Sequence, residues 1–100
     1  MQVTVTQQDW DTAERRSGLY TPLARALTRL GHKGYAIQTW TANQDKCANI
    51  RRLGHGEPLP DDAATLEHAW NAGMPYTLPA TFDITLPTVD SPAEAVGVLT

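Results

Sequence analysis

His32, His55, His68 and Cys47 have the widest chemical range of any residues in this 100-residue chain. Structural zinc sites draw on ligands closely paired in sequence, and none of these four has such a neighbour, so no metal site is expected. Cys47 as a nucleophile requires a histidine base and a lowered thiol pKa, which only the tertiary position of a histidine supplies. A cysteine packed in a strand as a small apolar residue is the simpler expectation. Glu57, Asp61 and Asp62 cluster beside a proline-bounded loop and have the residue types for acid/base work, yet a helix start accounts for both aspartates. Gly54-His55-Gly56 has too few glycines for a phosphate loop and no Lys-Ser or Lys-Thr after it. Neither a nucleophile elbow nor a dinucleotide-binding glycine pattern occurs. No catalytic residue, no metal and no cofactor are therefore expected, and the chain reads as a protein that is not an enzyme.

The remaining chemistry is that of binding. Lys46, Arg51 and Arg52 fall on one expected hairpin, and Arg25 and Arg29 on the polar side of one expected helix. Such a set can grip phosphates, with Tyr35 and Trp40 as stacking surfaces for bases. A net charge of −3 opposes it. Charge is also unevenly placed: residues 1–56 carry all eight bases and four acids, whereas residues 57–100 carry seven acids and no base. This asymmetry suits either a basic face for nucleic acid or two halves whose charges interleave after folding. Trp10, Trp40 and Trp70 are the candidate anchors for a protein partner. The helix positions of Trp10 and Trp70 favour core packing, which leaves Trp40 undecided.

These side chains must be held by a framework, and its spine is residues 21–31. Thr21 can cap the first turn, Pro22 suits the first helical position, and Gly31 can take the left-handed conformation that ends a helix. Leu23, Ala24, Ala26, Leu27 and Leu30 form one apolar arc, with Arg25, Thr28 and Arg29 opposite. Ahead of it, Val3 and Val5 alternate with polar residues as a short strand. Thr6 and Asp9 then form a variant capping box for a helix running from Gln7 to about Arg16. After it come two strands, 35–41 and 47–53, joined by turn chemistry at 42–45. The segment 54–60 reads as a turn into a helix from about Asp61 to Ala72, which Gly73 and Pro75 close. Phe82, Ile84 and Leu86 alternate inward along a final strand, 81–86.

The order is β-α-α-β-β-α-β, an α+β fold with about four mostly antiparallel strands and helices on one face. Residues 1–87 make a single domain, and residues 88–100 a flexible or docking C-terminal tail in which Val96, Val98 and Leu99 could dock. No run of apolar residues is long enough to span a membrane, and the polar start Met1-Gln2-Val3-Thr4 does not read as a signal peptide. A cytoplasmic protein is expected, and one cysteine suits a reducing compartment.

The phrase Thr21-Pro22-Leu23-Ala24-Arg25-Ala26-Leu27, Leu59-Pro60 ahead of an acidic helix start, Ala72-Gly73 closing that helix, and the strand between Pro79 and Leu86 together resemble a group of small uncharacterised proteins of actinobacteria and their phages. Members often carry cysteine beside the proline that opens the central helix. Tyr20 and Thr21 stand there in this chain, so any thiol or metal role at that position is absent. The resemblance implies a phage or prophage setting, the host cytoplasm, and no established activity. Taken with the missing catalytic motifs, it gives a small non-enzymatic phage-type accessory protein that binds a protein partner, a host protein or a second copy of itself. The alternatives are a nucleic-acid-binding module that uses the basic first half, and an uncharacterised enzyme.

Overall fold

A computed structural model describes residues 1–87 of the chain. The expected tail lies outside these residues. The fold is α+β, and its elements run β1 (Gln2–Val5), α1 (Gln7–Thr12), a short 3-10 turn (Gly18–Tyr20), α2 (Pro22–Arg29), β2 (Ala36–Ala42), β3 (Asp45–Arg52), β4 (His55–Pro58), α3 (Asp61–Ala72) and β5 (Ala80–Asp83). The strands form two antiparallel sheets: β1 pairs with β5, and β2, β3 and β4 form a meander.

The fourth strand is absent from the sequence reading, which takes 54–60 as a turn. Gly-His-Gly-Glu-Pro contains no strand former, but Leu53 and Gly54 both adopt positive φ, 52° and 84°, and make a two-residue turn that lays the segment back on Arg51 and Arg52. Turn geometry and the free edge of β3 outweigh local propensity. The sheet divides for a related reason. The β1–β5 ladder, with Val3 opposite Phe82, takes up the two ends of the described chain and leaves the central hairpin to pair with β4.

Helix α1 also stops earlier than Arg16. Ala13 turns to extended geometry, the Glu14 amide donates to the Tyr20 carbonyl at 2.8 Å, and Arg15 swings across to donate to the Trp70 carbonyl at 2.7 Å. The Arg15 guanidinium lies 4.9 Å from the centre of the Trp70 ring. Tertiary bonds to α3 and the 3-10 turn thus replace a last helical turn.

The core collects Val3, Val5, Leu23, Leu27, Ile37, Ile50, Leu66, Phe82 and Ile84, all essentially sealed from solvent. Thr21 caps α2 by accepting from the Ala24 amide, and Leu23, Ala24, Ala26 and Leu27 are buried as the arc requires. Leu30 is instead exposed, because the helix ends at Arg29 and Leu30 is its C-cap. Helix α3 has the expected bounds, and Gly73 closes it at φ 72°. It packs against β3 on the face that carries Ile37, Ala48 and Ile50. The His68 Nε2 lies 2.8 Å from the Cys47 carbonyl, and Asn71 donates to the Thr39 hydroxyl at 2.9 Å.

One core residue breaks the apolar pattern. Glu67 of α3 has no exposed surface; its Oε2 accepts the Leu23 amide at 3.0 Å, and its Oε1 has no partner. Burial pushes the carboxyl up to about 7, against the opposing pull of the Leu23 amide and the Thr21 hydroxyl.

Two outcomes are expected from this packing. Leu27→Ala should lower unfolding free energy by about 2–5 kcal/mol in denaturant melts, the scale for a truncated core leucine; a loss below about 0.5 kcal/mol would mean that Leu27 is not in the core. Because the folded Glu67 pKa lies above its ordinary 4.5, the folded state holds this proton more tightly, so the group's contribution is fullest below 4.5 and is lost as pH rises through about 7. The stability difference between the unaltered protein and Glu67→Gln should therefore shift by about 3 kcal/mol against the unaltered protein from pH 4 to pH 8. A pH-independent difference would contradict this assignment.

Candidate functional site

Strand β4 is only four residues long, whereas β3 has eight, so the first half of β3 has no neighbour on that side. The chain after β4 closes the gap once, where the Leu59 amide donates to the Ala48 carbonyl at 3.0 Å, and then rises into α3. A groove of about 670 Å³ is left between the hairpin tip and the first two turns of α3. Its lining combines Trp40, Asp45, Lys46 and Cys47 from the hairpin, Pro58 at the end of β4, Leu59 from the linker, and Asp61, Ala64 and Thr65 from α3. The volume falls within the range of small-molecule sites. Small residues, Ala48 and Ala64, let the helix lie close over the strand, and one ammonium and two carboxylates offer polar contacts.

Of the expected binding residues, the fold brings Trp40 and Lys46 together on this groove and scatters the others. Trp40 is 44% exposed, in contrast to buried Trp70 and half-buried Trp10, which pack as their helix positions predict. Strand alternation sends Arg51 and Arg52 to opposite faces of the sheet. Arg51 donates to the Gly54 carbonyl at 3.4 Å, and Arg52 lies over the Tyr35 ring, 5.2 Å from its centre. Arg25 is half-buried on α2, in a shallow cleft with Gln8 and Thr12.

Arg29 is engaged by α1 and β1. It donates to both Asp9 oxygens, at 3.3 and 3.0 Å, and to the Thr4 carbonyl at 2.8 Å. Asp9 also closes the α1 capping box with Thr6. Burial alone would raise the Asp9 carboxyl, but the bonds from Arg29 and Thr6 outweigh it and hold it below the usual carboxylate range. The bond to Asp9 raises Arg29 in turn. This pair fastens α1 to α2 and leaves Arg29 committed within the molecule. The five cations therefore do not form one phosphate-binding surface.

Cys47 is half-buried, and its thiol approaches the Asp45 carbonyl at 3.6 Å. His68 bonds to the backbone of Cys47, so the side chains do not form a cysteine–histidine pair. Glu57 is half-buried at the sheet edge opposite Ile50. Asp62 accepts the Ala63 amide at 2.8 Å in its helix-start role. Among the described residues, no three side chains of His, Cys, Asp or Glu are grouped to hold a metal ion. No helix among them is long and apolar enough to cross a membrane.

The groove itself escapes the sequence reading. Trp40 pairs with Cys47 and Lys46 with Thr41, so the two side chains start from opposite faces of the hairpin and no spacing in the sequence announces that both line the groove. The opposing wall depends on how α3 returns over β3.

No known protein-family model matches the chain, and no solved structure matches it. Two curated relatives do. A bifunctional NAD(P)H-hydrate repair enzyme of Leishmania major is 34% identical over 64 residues, which is 54% of this chain and 11% of the relative. The protein of the same name from Leishmania infantum is 31% identical over 83 residues, 68% of this chain and 15% of the relative. The chain thus spans a small part of the length of both. These matches overturn the reading as a non-enzymatic phage-type accessory protein. The inference failed because it equated missing local motifs with missing enzymatic function, whereas what this chain is similar to is a segment of an enzyme.

Proposed function

We propose that this chain is an enzyme-related module that holds a reduced nicotinamide nucleotide, in the context of repairing hydrated NAD(P)H, and that the groove between β3 and α3 is its binding site. The observation that carries the reading is the similarity to two NAD(P)H-hydrate repair enzymes across 54% and 68% of the chain. The groove's chemistry supports it. Lys46 suits a phosphate, Asp45 and Asp61 suit ribose hydroxyls, and Trp40, Leu59 and Ala64 give apolar surface for a ring. A cytoplasmic setting, where this nucleotide and a single reduced thiol both belong, is part of the proposal. The actinobacterial and phage resemblance bears only on the organism in which the module works.

Isothermal titration with NADPH, and separately with its hydrate, tests the reading. Saturable binding is expected, weakened about tenfold by Lys46→Ala, equivalent to about 1.4 kcal/mol. Lys33→Ala, in the exposed loop after α2, should leave it unchanged. Incubation with the hydrate, followed by the regain of reduced-nicotinamide absorbance, reports whether the chain alone carries the repair. Absence of both heat and absorbance recovery would overturn the proposal.

A further inference from the structure

We propose that β2 is the interface of a two-fold dimer in which the β2 strands of two copies of this chain pair antiparallel about Trp40. The hydrogen-bonding direction of each β2 residue follows from the hairpin. Asn43 and Gln44, with φ of 51° and 71°, form a two-residue turn flanked by the pair Ala42 and Asp45. That flanking pair is hydrogen-bonded in such hairpins, and the alternation then directs Ala36, Gln38, Trp40 and Ala42 toward β3. Ile37, Thr39 and Thr41 direct their amides and carbonyls away from it.

Ile37 is covered: Gly18 lies so close that a Cβ there would collide with the Ile37 carbonyl oxygen. Thr39 and Thr41 have no backbone partner on that side among the described residues. The open edge is thus a short segment centred on Trp40.

Edge strands are normally protected by lysine, proline, a bulge or short length. The open segment of β2, Thr39-Trp40-Thr41, carries none of these devices but its short length: it has no lysine, no other charge and no proline. A second copy fits this edge in one register. With Trp40 facing Trp40 of the partner at the dyad, Thr39 of each copy exchanges backbone bonds with Thr41 of the other, so every open group is used and Ile37 is left under Gly18. The facing positions bring no like charges together, and the exposed indole of Trp40 gains an aromatic neighbour.

Pairing about the dyad uses the β2 edge of both copies, and β4, on the far side of each meander, is only four residues long and contains Gly56 and Pro58, which makes it a poor site for further strand addition. Trp40 also lines the groove, so the dyad sets the two grooves side by side.

Sedimentation equilibrium of the full chain over a wide concentration range tests this directly. The expected mass is twice 10.9 kDa, falling to the single-chain mass on dilution. Thr41→Pro removes an outward-facing donor without touching the β2–β3 ladder, so it should give a monomer with an unchanged far-ultraviolet spectrum. Trp40→Lys, at an exposed position, sets two ammonium groups face to face and should give a monomer independently of any effect of proline on folding. A chain that is monomeric at every concentration overturns the proposal. So does a dimer that persists in both variants, or an assembly that grows beyond two copies. Nucleotide titration of Thr41→Pro separates this inference from the functional one, because retained binding by a monomer would leave the groove assignment standing.

Discussion

The hydrogen bond from the Leu23 amide to Glu67 is the constraint on which the rest of the fold depends. A helix start leaves amides without partners, and water normally takes those that side-chain caps do not. Helix α2 begins inside the protein, with Thr21, Pro22, Leu23 and Ala24 all buried. Pro22 has no amide to satisfy, Thr21 takes that of Ala24, and the Leu23 amide falls to a carboxyl from α3. Helix α2 lies against α1 and β1, and α3 lies against β3. That bond, together with Arg15 on Trp70 and the 3-10 turn against Ile37, joins the β1–β5 side of the molecule to the central meander. A carboxyl in an apolar core is costly when charged, which is why its pKa is raised to about 7.

The sequence announces α2 and α3 because their signals are local. Thr21-Pro22 and Gly73 act within a few residues, and both helices have the bounds those signals imply, to within two residues at the end of α2. Glu67 is invisible at that level. It sits beside Leu66 on a helix whose apolar face is already complete, and a glutamate there reads as surface. Only the arrival of the α2 start, 44 positions away in the chain, makes burial possible. β4 is hidden for a different reason. Its residues are poor strand formers, and the strand exists because a tight turn at Leu53-Gly54 returns the chain to an edge that needs pairing. The truncated end of α1 likewise follows from Arg15 reaching Trp70, a contact with no trace in periodicity.

The same distinction governs the site. Arg25, Arg29, Lys46, Arg51 and Arg52 form a persuasive basic set in one dimension. In three, Asp9 binds Arg29, Arg51 and Arg52 are parted by the pleat, and Lys46 is left with Trp40 on a groove whose other wall is α3. The proposed nucleotide site rests on that groove together with the similarity to segments of two NAD(P)H-hydrate repair enzymes.

The central claim is that this groove takes a reduced nicotinamide nucleotide, and backbone amide chemical shifts of the isotopically labelled protein, recorded during addition of NADPH, examine it residue by residue. The expected result is a progressive, saturable set of shifts confined to Lys46, Cys47, Leu59, Ala64, Thr65 and their immediate neighbours. Spectra that do not change at high nucleotide concentration, or shifts gathered on the α1–α2 side around Arg25 and Arg29, would contradict it.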